Sequence, residues 1–165
     1  IVDRPFEQLR ELLVADLSGA DGTSAWRVPA DRQVDPAAHL MLSLALTHTP
    51  EEVQFYCLDF GGGGLVSTAG LPHVGSVATR LERDRVLRTV AELTQLLEKR
   101  EEEFTSRGLE SMAAYRRLKA AGEIDDPYGD VFLVVDGWGT LRQDYEELEP
   151  GSSRWRRAGC RSVCM

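Results

Sequence analysis

Asp136 stands where a carboxylate can do chemistry. It closes the apolar run Val131–Val135 inside GDVFLVVDGW. Five apolar residues are too few for a buried helix, and the β-branched bias with Asp130 and Gly137 at the borders predicts a fully buried parallel strand. In open α/β sheets the carboxyl edge, where Asp136 falls, is where ligands bind. An apolar run ending in Asp is the pattern of a Walker B strand, whose carboxylate holds the Mg²⁺-bound water of a nucleotide. Many buried strands also end in Asp as a turn or helix cap, so both readings stand for Asp136 on these residues alone. Asp59 closes a second such run, VQFYCLD, and Gly61–Gly64 follows it. Four glycines either let backbone approach a ligand or make a flexible turn.

The elements that must position these residues alternate. Leu9–Ser18 predicts a short strand and Ala37–Thr47 a buried helix that Pro36 opens. Val53–Asp59 is the second strand and Leu71–Ala78 allows a third. Leu81–Phe104 is a clear amphipathic helix, with Val86, Val90, Leu93, Leu97 and Phe104 at helical spacing. Its run Glu98–Glu103 reads as a solvated face. Gly108 ends it, and Leu109–Ala121 makes another helix with Met112, Tyr115 and Leu118 inward. Trp138–Leu148 follows the central strand as a helix. Strands alternating with helices imply an α/β fold, a mainly parallel sheet with helices on both faces.

Composition narrows the function classes. A length of 165 residues is one domain or part of one, and 42% hydrophobic with 28% charged residues is an ordinary globular balance. No apolar run reaches the ~18 residues of a membrane span. The start at Ile1 without Met leads us to expect a fragment. Cys57, Cys160 and Cys164 have no metal-ligand spacing, and Cys57 reads as a small buried hydrophobe. His48 and His73 are lone turn histidines without a Cys or His partner at ligand spacing, which favours structural roles. The net charge of −8 includes four arginines and no acid in residues 151–165, so residues 1–150 carry −12. Such an acidic body argues against nucleic-acid binding, which depends on basic patches.

Several stretches together carry a family resemblance: VDRPFEQ, LALTHTPEEVQFYCLDFGGGGL, LPHVGSVATRL, SMAAYRRL and DVFLVVDGWGTLRQDYEELEP. Over residues 2–22 and 40–150 the chain resembles the EccC ATPases of actinobacterial type VII secretion systems, in the FtsK/SpoIIIE family, and looks like the second of their C-terminal modules. The resemblance implies a P-loop NTPase fold of the RecA/FtsK kind. It implies tandem ATPase modules assembled as hexamers beneath an inner-membrane secretion complex, in the cytoplasm, binding ATP and Mg²⁺ and recognising WXG-type effectors. It gives Asp136 the Walker B role, with Mg²⁺ held through water. Asp59 resembles a family residue on the nucleotide side, with a structural cap as an equal alternative. The family's hydrolytic members place an acid directly after the Walker B Asp, and Gly137 stands there instead.

The family's Walker A loop belongs between Gly22 and Leu40, but residues 23–39 contain no Lys and no G-x-x-x-x-G-K-[ST]. A shifted reading frame accounts for the loss. Codons built from the last two bases of one residue and the first of the next turn Trp26 into Gly. With suitable codon choices, Arg27 gives Gly, and Asp31–Ala37 give the rest of GG-x-x-x-TGKSTLL. His39 lies in this segment and carries no meaning. The opposite offset turns Arg154–Cys164 into L-A-A-R-G-L-S-F-G-V-H, the family's continuation. Residues 1–150 therefore read as a partial ATPase module, frameshifted through 23–39, and 151–165 as a frameshifted tail.

The function expected is that of an ATP-binding module of a type VII secretion motor, defective in ATP binding and hydrolysis as written. The alternatives are a non-catalytic assembly or effector-docking domain and, further off, DNA-translocase-like DNA binding. Residues 23–39 and 151–165 are expected as loop or poorly packed helix, leaving the sheet incomplete and the isolated chain partly unfolded.

Overall fold

The computed structural model describes residues 37–145 in full. Outside that stretch it describes the backbone of residues 2–4, 9–11, 25–27, 36 and 161–164. Five parallel strands form the main sheet in the order β3–β7–β6–β4–β5. These are β3 (Ala25–Arg27), β4 (Val53–Asp59), β5 (Val74–Thr79), β6 (Asp130–Asp136) and β7 (Arg161–Cys164). A separate antiparallel pair, β1 (Val2–Arg4) with β2 (Leu9–Glu11), makes up the rest of the strand content among the described residues. The second expected strand is found at its expected bounds and the third begins three residues late. Of the first, Leu9–Glu11 is a strand, while residues 12–18 lie outside the described residues.

β6 occupies the middle of the sheet, and its sequence explains why. Val131–Val135 are each no more than 4% exposed. Alternate residues go to opposite faces. Val131, Leu133 and Val135 meet α2 (Arg83–Arg107) and α4 (Trp138–Asp144), while Phe132 and Val134 meet α1 (Pro36–Ala45). β4 divides in the same way, with Leu58 on the α2 side and Val53, Phe55 and Cys57 on the α1 side. Helices thus cover both faces, as the alternation of elements requires. Cys57 is fully buried, its thiol 3.9 Å from the Met41 sulfur.

Three expectations are corrected by the structure. Residues 25–27 and 161–164 are paired strands, not loop or loose helix. α1 is not buried all round: Ala37 and Met41 are each 1% exposed on the face toward the sheet, while Leu42 is 42% exposed and Leu46, just past the helix end, 85%. Parallel pairing is made by backbone groups, so a short strand needs an open edge more than a particular side chain. β6 offers that edge, and β7 takes it in register Phe132↔Arg161 to Val135↔Cys164. The third correction concerns Glu98–Glu103. Arg100 points inward at 9% exposure, and a carboxylate meets it there.

That carboxylate belongs to Asp126, on the connection from α3 (Met112–Ala120) to β6. Arg100 donates to Asp126 Oδ2 at 2.9 Å and to the Tyr128 and Gly129 carbonyls at 3.1 and 2.8 Å. The Tyr115 hydroxyl donates to the same Oδ2 at 2.7 Å, and the Tyr128 N–H to Oδ1 at 2.9 Å. Burial alone pushes the Asp126 carboxyl upward. The Tyr115 bond, the Arg100 charge and the Tyr128 N–H outweigh it and hold the group below the usual carboxylate range. Burial first, then the bond to Asp126, raises the Tyr115 phenol well above its ordinary value. Phe104 stacks on Tyr115 with ring centroids 5.4 Å apart. The amino end of β6 is thereby fixed to two helices.

Candidate functional site at the carboxyl edge of the sheet

Asp59 and Asp136 are register partners at the carboxyl ends of β4 and β6. The sheet brings together the two aspartates that the sequence singled out, yet gives them different surroundings. Asp59 is 3% exposed. Its Oδ1 accepts the N–H groups of Gly62 and Gly63 at 3.3 and 2.9 Å, and its Oδ2 accepts that of Leu65 at 2.9 Å. Three backbone donors converging on one carboxylate make it the organiser of the loop that follows. Gly62 and Gly63 hold φ of 143° and 90°, a region that side chains disfavour. The glycine run is a shaped loop that leads into a 3-10 turn, Leu65–Thr68.

Asp136 is half-buried on the central strand, and its main-chain carbonyl accepts the Phe60 N–H at 2.9 Å. Its carboxylate lies against Gly61, so closely that a Cβ on Gly61 would fall inside the carboxyl group. The reciprocal contact is made by Gly137. It has φ of 76°, and a Cβ there would lie 2.7 Å from the Phe60 carbonyl carbon and 2.9 Å from the Gly61 nitrogen. The two strand ends interlock through a pair of glycines. Gly137 caps the start of α4, and its carbonyl accepts from Thr140 and Leu141 at 3.0 and 3.1 Å.

The surrounding edge is braced. Arg80, just past β5, pairs with Asp144 of α4 at 2.6 Å. The Phe60 ring meets Tyr145 edge-on at 5.5 Å, and the Arg83 guanidinium lies 5.0 Å from the Tyr145 ring centroid. The Glu82 carboxylate accepts from the Thr79 N–H and hydroxyl at 3.0 and 2.9 Å. Those bonds, backbone first, lower its pKa. On the same edge, β3 ends at Arg27 and α1 begins at Pro36. Residues 28–35, through which the Walker A expectation runs, lie between them and outside the described residues.

His48 and His73 take no part in this edge. His73 reaches the His48 carbonyl through Nε2 at 2.8 Å, beside the amino end of β5. His48 sits after α1, its Nδ1 2.9 Å from the Thr47 hydroxyl. Among the described residues no group of three His, Cys, Asp or Glu side chains is arranged to hold a metal ion. At the opposite edge of the sheet a groove of about 850 Å³ opens between α1 and α3. Leu44, Val53, Met112 and Phe132 line it, with Glu52 and Lys119 among its polar residues. Sequence reasoning did not find this groove, since its lining comes from segments far apart in the chain. Among the described residues no helix is long and apolar enough to cross a membrane.

Comparison with known proteins agrees with this architecture. Residues 37–155 match the FtsK/SpoIIIE family. The chain is 61% identical over 151 residues to the ESX secretion system protein EccC of Thermomonospora curvata, a match covering 90% of this chain and 12% of that protein. It is 46% identical over 150 residues to the ESX-4 secretion system protein EccC4 of Mycobacterium tuberculosis, again 90% of this chain and 12% of the relative. The chain thus spans about an eighth of the length of these relatives. A solved structure of Thermomonospora curvata EccC, ATPases 2 and 3 in complex with a signal sequence peptide, superposes with a TM-score of 0.79 at 55% identity. The match covers 98% of this chain and 30% of that one. The cytoplasmic domain of EssC superposes with a TM-score of 0.71 at 14% identity, which speaks to the fold alone. The chain belongs to the FtsK/SpoIIIE family of P-loop ATPases, with EccC proteins of type VII secretion systems among its near relatives.

Proposed function

We propose that the chain is one nucleotide-side module of a type VII secretion motor, with Asp136 as the Walker B carboxylate that holds Mg²⁺ through water. The observation that carries this reading is the position of Asp136. It ends the central strand, half-buried, on the sheet edge where β3 also ends and α1 begins. In doubly wound sheets that edge receives the phosphates. The remaining cradle does not fit the nucleotide. Residues 23–39 contain no Lys to reach the β and γ oxygens. Charge-assisted bonds contribute ~1.5–3 kcal/mol each, and losing several leaves little affinity for ATP. We read that segment, and residues 151–165, as encoded out of frame. Gly137 adds a second deficit for hydrolysis, because no acid follows Asp136 to position water.

In the motor, the module's partners are neighbouring modules of a hexamer, the membrane components of the secretion complex and WXG-type effectors, and its place is the cytoplasmic side of that complex. Isothermal titration with Mg²⁺ and ATP tests the reading. The chain as it stands gives no saturable heat at micromolar nucleotide, and a version carrying the other reading frame through residues 23–39 and 151–165 binds in a Mg²⁺-dependent way. Micromolar binding by the unaltered chain overturns the reading of 23–39. Equal binding by the repaired chain and its Asp136→Ala variant overturns that of Asp136.

A second reading, an effector-docking domain without chemistry, is favoured by the groove between α1 and α3. It is roomy, and its lining joins the buried apolar Val53 and Phe132 to the buried Tyr115 and Asp126. A related EccC structure holds a signal sequence peptide. Fluorescence anisotropy with a labelled effector tail, read against Phe132→Ala and Met112→Ala, distinguishes docking there from docking elsewhere.

A further inference from the structure

We propose that Asp59 is a positioning residue for Asp136 and that the glycine run is the part through which it acts; this rests on the reading of Asp136 as the cation-side carboxylate. Three facts on the two strand ends carry it. Asp59 gathers the N–H groups of Gly62, Gly63 and Leu65, which fixes the path of the loop. Gly61, at the start of that loop, presents its Cα to the Asp136 carboxylate where no side chain fits. Phe60 is tied to Asp136 by its N–H and blocks any side chain at position 137. The loop path therefore sets one wall of the space in which the Asp136 carboxylate stands.

The alternatives for these residues explain less. A turn that only reverses the chain needs a positive φ at one or two positions, which Gly62 and Gly63 supply. Gly61 then has no reason to be glycine, yet it is the position whose Cβ would occupy the carboxylate. A direct cation ligand would keep its oxygens open. Asp59 is buried with both oxygens accepting backbone donors, so it acts through the loop. Gly64, at φ −60°, lies in a conformation open to any residue and serves as a control.

The test labels aspartate carboxyl carbons with ¹³C and follows the Asp136 Cγ line in the full chain, with the Asp126 line as an internal reference for the fold. Gly61→Ala, which removes no acceptor of the Asp59 bonds, moves the Asp136 line by more than its width. Asp59→Asn moves it in part and Asp59→Ala further, with faster exchange of the Gly62 and Gly63 amides. Gly64→Ala leaves it in place, and the Asp126 line is unchanged throughout. Loss of amide protection in Asp59→Ala with an unmoved Asp136 line overturns the proposal and leaves Asp59 a cap. An unmoved line in Gly61→Ala overturns it as well. The cation reading fails separately, if Mn²⁺ broadens the Asp136 amide of the repaired, ATP-loaded chain no more than that of its Asp136→Asn variant.

Discussion

Asp59 and Asp136 end adjacent parallel strands in direct register, and one glycine, Gly61, separates the loop that the first organises from the carboxylate of the second. Two like-charged groups at one sheet edge invite a shared cation. Here the Asp59 charge is answered by three backbone N–H groups, so the pair divides its work between loop and site.

Replacing Asp59 by Ala leaves three backbone donors without their acceptor. An unsatisfied buried donor costs about 1–3 kcal/mol, and Gly62 and Gly63 are both exposed to water while Leu65 is buried, so we expect a loss of about 2 kcal/mol in urea unfolding. Asn, which retains one acceptor oxygen, should lose about half as much. A loss below about 1 kcal/mol for Ala would mean that the loop holds its path without the carboxylate.

Gly137→Glu looks like a gain, since it puts an acid after the proposed Walker B residue. The geometry predicts the opposite. A left-handed backbone costs a side chain about 1–2 kcal/mol, and the new Cβ meets Phe60 backbone at 2.7 Å. The β4 loop must shift, and Gly61 shifts with it. We expect a lower melting temperature and no gain in phosphate release, even with a P-loop sequence placed in residues 23–39. Faster hydrolysis at unchanged stability would contradict the interlock.

Much of the sheet was legible in the sequence, because β6 is buried on both faces and reads as an unbroken apolar run, and β4 is apolar but for Gln54 before its closing Asp59. β3 and β7 were not. Ala25–Arg27 and Arg161–Cys164 are too short for any alternation to show, and they are strands because backbone pairing accepts them, β7 beside β6 and β3 beside β7. Arg100 was legible in principle. It lies three residues after Leu97 and four before Phe104, on the apolar stripe, but its acidic neighbours gave the run the look of a solvated face. The two aspartates at the carboxyl edge were legible from the strand ends alone. Which of them faces the loop and which the site was not, because the loop bonds depend on the φ values of Gly62 and Gly63.

The Arg100–Asp126–Tyr115 cluster makes the fold sensitive to acid. The Asp126 carboxyl is held below its ordinary value, so its contribution is full above about pH 4, the unfolded-state range. It is lost as pH falls through the lowered value of the folded state. The Asp126 side chain is 1% exposed and that of Arg100 11%, so removing one partner strands a buried charge. We expect Asp126→Ala to cost about 3–5 kcal/mol at pH 7. The wild type should lose the protection of its α3 amides below pH 4, while the variant shows no such step. An acid transition equally steep in the variant would place the sensitive carboxylate elsewhere.

The last prediction concerns the edge that β7 covers. β6 shares seven register pairs with β4 and four with β7, and β3 has three with β7. Removing residues 151–165 takes away β7 and, among the described residues, the strand partner of β3. It turns the central strand into an edge. That edge would carry Val131–Val135, apolar toward both faces, with a row of unpaired N–H and C=O groups. Edges of this kind pair with other chains, and a domain with only ~5–15 kcal/mol of net stability has little reserve against the loss. We expect the shortened chain to aggregate at lower concentrations than the full chain, and the Val131–Val135 amides to lose hydrogen-exchange protection first. Lys substitutions at Phe132 and Val134 would suppress the association only by breaking the core, so solubility and protection should fall together. A shortened chain that stays monomeric with unchanged β6 protection would show that β7 adds nothing to the sheet.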